Sequence, residues 1–165
     1  MDRRRFIQLA AGGAGVLMSG PVIAAGQKMA APEKIARISK TDAEWQNLLT
    51  PQQYEVLRKE GTERPFTSPL NQEKRKGVFS CAGCDLPLFP SEYKYDSGTG
   101  WPSFYDAYPG HLETRADFQL ALPRTEYHCA RCGGHHGHVF NDGPRPTGLR
   151  YCNNGVALKF IPEKI

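Results

Sequence analysis

Cys129-Ala130-Arg131-Cys132-Gly133-Gly134-His135-His136-Gly137-His138-Val139-Phe140 runs on through Asn141-Asp142-Gly143-Pro144 to Arg150-Tyr151-Cys152. It opens on a C-x-x-C pair, and a second pair, Cys81-Ala82-Gly83-Cys84, stands 44 residues upstream. Two such knuckles supply the four thiolates of a tetrahedral zinc. A structural zinc contributes an apparent ~10–16 kcal/mol to folding, and here it would clamp two distant segments of one domain. An all-thiolate site is closed and structural, because catalytic zinc keeps an open position. Gly83, Gly133 and Gly134 let backbone amides approach the sulfurs. Two disulfides or a redox-active pair are the competing readings, and an oxidising compartment favours them. A disulfide inside C-x-x-C, however, closes a very small loop and staples little.

Outward from this stretch, the chain from Gly77 onward has the texture of antiparallel strands. Short apolar or alternating runs (Val78–Ser80, Phe118–Leu122, Val139–Phe140, Gly155–Ile161) are separated by Gly and Pro turns. Upstream, Thr41-Asp42-Ala43-Glu44 is a capping-box pattern that opens a short helix through about Leu49. Thr50-Pro51-Gln52-Gln53 starts a second helix, with Tyr54 and Leu57 on one face and an end near Gly61. Thr62–Leu70 contains two prolines and should be irregular.

Cys152 is the one cysteine outside the pairs. Read as a strand, Gly148–Phe160 places Arg150, Cys152 and Asn154 on one face and runs on into the apolar Val156, Leu158 and Phe160. Arg150 would favour the thiolate over an unperturbed thiol that is only about 3% ionised at pH 7. Asn154 could donate a hydrogen bond to an intermediate. A buried structural cysteine is the plainer explanation of a lone thiol. Against it stand three imidazoles and a carboxylate within eight residues, His135, His136, His138 and Asp142, which point to proton transfer or to a second metal site.

Length and charge bound the rest. The 165 residues suggest one domain, assigned to residues 41–165. The net charge of +4 is spread along the chain, and removing 1–24 leaves 18 basic against 16 acidic residues, a net +2. No basic block marks a nucleic-acid footprint. Asp2-Arg3-Arg4-Arg5-Phe6-Ile7-Gln8 looks like a twin-arginine export motif, followed by the glycine-interrupted apolar run Ile7–Ile23. Residues 1–25 therefore read as a signal peptide cut near Ala24, a receptor-read address for the twin-arginine machinery and a periplasmic destination. An uncleaved anchor or a basic, disordered N-terminus is the alternative. Residues 26–40 read as a linker.

The combination Gly137-His138-Val139-Phe140, Asp142-Gly143-Pro144, Pro146-Thr147-Gly148 and Arg150-Tyr151-Cys152 resembles the methionine-R-sulfoxide reductases, the MsrB family. So does Asp96-Ser97-Gly98-Thr99-Gly100-Trp101-Pro102-Ser103-Phe104, and the resemblance runs from about Thr41 to Pro162. It implies a mainly β fold, two antiparallel sheets forming a small barrel or sandwich, with short N-terminal helices and a structural zinc held by Cys81, Cys84, Cys129 and Cys132 opposite the active site. It also implies Cys152 as the nucleophile that becomes a sulfenic acid. His138 would assist at the sulfoxide oxygen with Asp142 as its orienter. His135, Asn154, Arg150 and Phe140 would line the site, and Trp101 would receive the substrate methyl. His136 receives no role. The implied partners are oxidised proteins and a thiol reductant, and the chain is expected to act as a monomer.

One departure bears on the reductant. Many relatives carry a resolving cysteine where this chain has Thr99, and no other thiol is spare once four hold zinc. The resemblance then implies direct reduction by a thioredoxin-like protein or a small thiol. Two other classes stand beside this reading: a zinc-ribbon binding module without catalysis, and a peroxide-sensing thiol protein.

Overall fold

The computed structural model describes residues 35–120 and 122–164. The expected signal segment, 1–25, and residues 26–34 of the expected linker lie outside them. Residues 35–40 have no regular structure, but Ile38 N donates to Arg131 O at 2.9 Å, tying this stretch to the second knuckle.

Both helices begin where their caps predict. α1 (Asp42–Leu48) has a complete capping box between Thr41 and Glu44, and α2 (Pro51–Lys59) has one between Thr50 and Gln53. Such a cap satisfies amides that the first turn leaves unpaired, worth about 1 kcal/mol. α2 ends on Glu60, whose φ of 58° makes it the left-handed cap, one residue before the expected Gly61. Trp45 from α1, and Val56 and Leu57 from α2, are buried.

Among the described residues nine short strands follow: β1 (Gly77–Cys81), β2 (Pro87–Pro90), β3 (Lys94–Tyr95), β4 (Ser103–Phe104), β5 (Leu112–Asp117), β6 (Arg124–Cys129), β7 (His135–Phe140), β8 (Arg150–Asn153) and β9 (Leu158–Pro162). They form two antiparallel sheets, β2-β1-β9 and β3-β4-β8-β7-β6-β5, the mainly β architecture expected. The core lies between them. Phe79 and Phe89 of the small sheet meet Phe104 of the large one at ring-centroid distances of 5.0 and 4.1 Å. All three rings are fully buried, each worth about 1.5–3 kcal/mol by removal from water.

Two expected strands are corrected. In place of the expected strand Phe118–Leu122, β5 ends at Asp117 and β6 begins at Arg124, and Phe118, Leu120 and Leu122 between them are exposed. Their alternation is that of a strand, but they have no sheet to cover. Gly148–Phe160 is two strands in different sheets. A 3-10 turn over Gly155–Ala157 breaks it after Asn153, because the Glu63 carboxylate captures the amides of Gly155 and Val156. The irregular segment beginning at Thr62 is thus the strap that turns the chain from one sheet to the other.

Candidate active site and metal centre

The two knuckles close alike. Asp85 N donates to Cys81 O and Gly133 N to Cys129 O, at 2.9 and 2.8 Å, with Asp85 and Gly133 both left-handed at φ 59° and 67°. This turn folds each C-x-x-C so that both sulfurs face inward. The four Sγ atoms lie within 4.8 Å of one another, with Cys81–Cys132 at 3.6 Å and Cys84–Cys129 at 3.4 Å. A tetrahedron with Zn–S of ~2.3 Å has edges of roughly 3.8 Å. None of the four is in a disulfide, and the donor set fits one structural zinc. It caps the end of β6 and the start of β7.

β7 carries that anchorage towards the thiol. His138 on β7 and Cys152 on β8 are directly opposed, so their side chains share one side of the sheet. Ser103 on β4 flanks Cys152 from the other side. The pairing requires Gly137, where a Cβ would stand 2.0 Å from the Cys152 carbonyl oxygen. Above the pair is a cavity of about 130 Å³ lined by Thr62, Trp101, Gly137, His138, Phe140 and Cys152, with Arg124, Asn153 and Asn154 completing the wall. That is about four water volumes at ~30 Å³ each, the scale of a methylsulfinyl group with its three heavy atoms.

His138 is oriented by a different carboxylate from the one expected. Its Nε2 lies 2.7 Å from Asp117 Oδ2, and the same oxygen takes a 2.6 Å bond from Arg124. Asp142, the expected orienter, is bidentate to Arg150 at 2.8 and 2.8 Å and mostly exposed. The reason is register: Asp117 and Arg124 face each other where β5 joins β6, whereas Asp142 follows the end of β7 and meets β8. Gln119 N, His138 and Arg124 together hold the Asp117 carboxyl well below the usual range. Burial pushes the His138 pKa down, against the bond from Asp117, so the imidazole is neutral near pH 7.

Arg150 is buried and lies over the Phe140 ring, its guanidinium 4.4 Å from the centroid. Asp142 holds it there, and this steadies one wall of the cavity. Burial pushes the Cys152 thiol up, and the Arg150 charge opposes that push. Trp101 is fixed by its Nε1 donating to Glu63 O at 3.0 Å.

Two further expectations change. His135 does not line the cavity: it is 3% exposed and bonded through Nδ1 to Glu126 Oε1 at 2.6 Å. Asn154 reaches the wall, but its Oδ1 takes Glu63 N and its Nδ2 donates to His136 O, at 2.9 and 3.0 Å. It is a strut with one N–H left over for the pocket. His136 is fully buried against Tyr127, and burial pushes its pKa down to about 3. Among the described residues the histidines form no metal cluster; the four cysteines do.

Asp117, Arg124, Thr62 and Asn153 are the site residues that sequence reasoning missed. Only strand register brings the first two to His138, and the strap brings the third.

Comparison with known proteins is consistent with this geometry. The SelR domain family model matches residues 49–162. A peptide methionine sulfoxide reductase MsrB of Agrobacterium fabrum is 52% identical over 127 residues, 76% of this chain and 94% of its own. Those of Leptospira interrogans (51% over 127 residues; 76% and 97%) and Pseudomonas putida (56% over 129 residues; 77% and 96%) are similarly close. The solved Mis18 'Yippee-like' domain aligns at a TM-score of 0.46 and 19% identity, over 55% of this chain and 100% of its own, which is too slight to carry an argument. The family match and the three relatives together make this chain a member of the SelR-domain family of MsrB peptide methionine sulfoxide reductases.

Proposed function

We infer that this chain reduces methionine-R-sulfoxide residues in proteins to methionine, with a thiol as electron donor. The observation that carries this reading is the opposed Cys152–His138 pair beneath a small cavity walled by Trp101 and Phe140. The substrate methyl packs on the indole and phenyl faces, the oxygen turns to His138, and the sulfur faces Cys152. Separate receptors for methyl and oxygen make the site selective for one epimer.

The Cys152 sulfur attacks the sulfoxide sulfur, and its proton passes through His138 to the sulfoxide oxygen. As the hydroxyl passes from the substrate sulfur to the Cys152 sulfur, the substrate's sulfur–oxygen bond and the newly formed sulfur–sulfur bond both break, methionine leaves, and Cys152 is a sulfenic acid. The substrate sulfur gains two electrons and the Cys152 sulfur loses two. Two external thiol groups then return Cys152 to the thiol, forming a disulfide and water; Thr99 offers no internal thiol for this step. A zinc held by Cys81, Cys84, Cys129 and Cys132 would supply structure alone, joining the knuckle that follows β1 to the one between β6 and β7. In a two-epimer assay with dithiothreitol, wild type should consume only the R form. Cys152→Ser should abolish turnover and keep one zinc per chain. Full activity in that variant would sink the mechanism.

The same proposal includes export. Arg3 and Arg4 belong to a twin-arginine address, the mature domain is periplasmic, and it works as a monomer. Replacing both arginines by lysine should block export, and size-exclusion chromatography should give the mass of one chain. Export that survives the double replacement would remove the twin-arginine assignment.

A further inference from the structure

Phe66 lies in the strap with its ring 74% exposed and its backbone left-handed at φ 64°. For a bulky side chain that conformation is a true outlier. Hydrogen bonds hold it there. Phe66 N donates to Gly100 O at 2.7 Å, and Asn71 Nδ2 donates to the same oxygen at 2.9 Å. Three residues earlier in the strap, Glu63 O takes the Trp101 indole N–H at 3.0 Å. Gly100 is itself left-handed at φ 91°, and a Cβ there would stand 2.9 Å from two atoms of the Phe66 ring, so the ring rests against the glycine. The strap is thus bolted to the loop that carries Trp101, and the bolts fix an aromatic ring in the open. Strain of this kind persists where the surrounding structure over-determines it, and it clusters at ligand clamps.

Phe66, Trp101 and Pro102 wall a second cavity, of about 320 Å³. That is about ten water volumes at ~30 Å³ each, room for a large side chain. Trp101 belongs to this cavity and to the one above Cys152, so the two adjoin. The Cys152 cavity has room for a methylsulfinyl group and little more. A substrate that is one residue of a polypeptide must leave its neighbours outside it, and the Phe66 cavity is next to hand. The charged residues in its wall are Lys94 and Asp96, of opposite sign. Each is already engaged, Lys94 Nζ with Asn71 O and Asp96 Oδ1 with Gly98 N, both at 2.9 Å. Neither sign of charge is favoured in the occupant, whereas the open ring favours an apolar side chain, and an aromatic one above all.

We propose that Phe66 is a specificity-determining residue. With Trp101 it forms a subsite for the side chain next to methionine sulfoxide in the substrate polypeptide, and it selects aromatic neighbours over small or charged ones. This deepens the reductase reading and rests on the cavity above Cys152 being the sulfoxide site. A ring stacked on Phe66 and shielded by the cavity is worth about tenfold in affinity, the equivalent of about 1.4 kcal/mol.

The test compares two R-sulfoxide peptides in the zinc-loaded protein, alike except that the sulfoxide is flanked by Phe in one and by Gly in the other. Wild type should prefer the Phe-flanked peptide about tenfold in kcat/KM, through KM and not kcat, because the subsite is remote from the reacting atoms. Phe66→Ala keeps the Cβ and the backbone bond to Gly100 and removes the ring; it should reduce the preference to about one. Phe66→Tyr should restore it, and a Glu-flanked peptide should match the Gly-flanked one throughout. Binding is read apart from turnover by tryptophan fluorescence in the Cys152→Ser protein, where adding Phe66→Ala should raise Kd for the Phe-flanked peptide about tenfold. A wild type without the preference would overturn the proposal. So would a Phe66→Ala variant that loses kcat/KM on both peptides and keeps their ratio, since Phe66 would then only brace Trp101. The expected difference in binding, in a protein inert towards R-sulfoxide, would instead keep the subsite and refute the reductase reading.

Discussion

Gly137→Ala should separate the two reacting strands. A Cβ on Gly137 would lie 2.0 Å from the Cys152 carbonyl oxygen and 3.1 Å from its carbon. Since real Cβ contacts essentially never fall under 3.0 Å, β7 and β8 must part by about 1 Å at this point. Both obstacles are backbone, so no rotamer change relieves them. One residue further along, the same two strands oppose His138 and Cys152. A misplacement on the order of 1 Å can cost about 10²-fold in rate, and forced overpacking costs about 1–3 kcal/mol in stability. The expected result is a roughly 100-fold fall in kcat/KM for an R-sulfoxide peptide, a lowered melting temperature, and an unchanged zinc content, because Gly137 meets β8 and none of the four cysteines of the metal centre lies on that strand. Gly148→Ala is the control. Gly148 is left-handed at φ 73°, with nothing within 4 Å of an added Cβ. That substitution stores about 1–2 kcal/mol of backbone strain and should leave kcat/KM within about threefold. A folded Gly137→Ala variant as active as the control would refute the claim that this strand spacing sets the geometry of attack.

Removing zinc should unfold the domain, since the ~10–16 kcal/mol of a structural site matches or exceeds the roughly 5–15 kcal/mol that keeps an ordinary domain folded. Circular dichroism during chelation, and on Cys84→Ser, checks this; a native spectrum without metal would contradict it. Asp117→Asn should lower kcat/KM by about 10²-fold, the lower range for a general acid–base group, and shift the acid limb of the pH profile to lower pH, because the charge that raises the His138 pKa is gone. Retention of wild-type kcat/KM would remove Asp117 from the machinery. In wild type, kcat/KM should be bell-shaped. Burial takes His138 below its ordinary 6.5 and Cys152 above its ordinary 9.0, so the rate falls once the imidazole gains a second proton for the pair and again once the thiol loses the last one. A single acid limb, with no fall at high pH, would contradict this protonation scheme.

The residues legible in the sequence were those whose reason is local. Thr41, Thr50 and Pro51 cap helices by contacts within three residues, and each C-x-x-C folds on itself, so the helices and the metal centre follow from spacing. The parity of Arg150 and Cys152 survives because it needs only one strand. What failed were inferences that need a partner. Asp142 is four residues from His138 in the chain, yet Arg150 on the next strand takes it. Asp117 is 21 residues away, and the β5–β6–β7 register delivers it to the ring. His135 shares a motif with His138, but the buried Glu126 draws its ring out of the cavity. The Phe118–Leu122 alternation misled because periodicity says which faces differ, and not whether a sheet is there to receive one of them.

That register has a larger consequence. The residues directly paired across the large sheet through Cys152 are Tyr95, Ser103, Cys152, His138, Glu126 and Arg115. Every one is polar or a thiol. The adjacent row, Phe104, Tyr151, Val139, Thr125 and Ala116, faces the other way, and its first members pack into the aromatic core. A polar row on a partly buried sheet is costly unless its members are paired. Arg115 pairs with Glu126, Asp117 with His138, and Ser97 with Ser103. The thiol is the member that can go without a strong partner at least cost, because S–H is only a weak donor. The same burial that leaves it a thiol also leaves His138 neutral, so between the two pKa values the pair holds one transferable proton, on the sulfur, beside the N–H that His138 keeps. Converting thiol and sulfoxide to sulfenic acid and methionine moves one proton and requires no other. The resting pair therefore carries the proton that the reaction needs, and the sheet register sets it beside the atoms that exchange it.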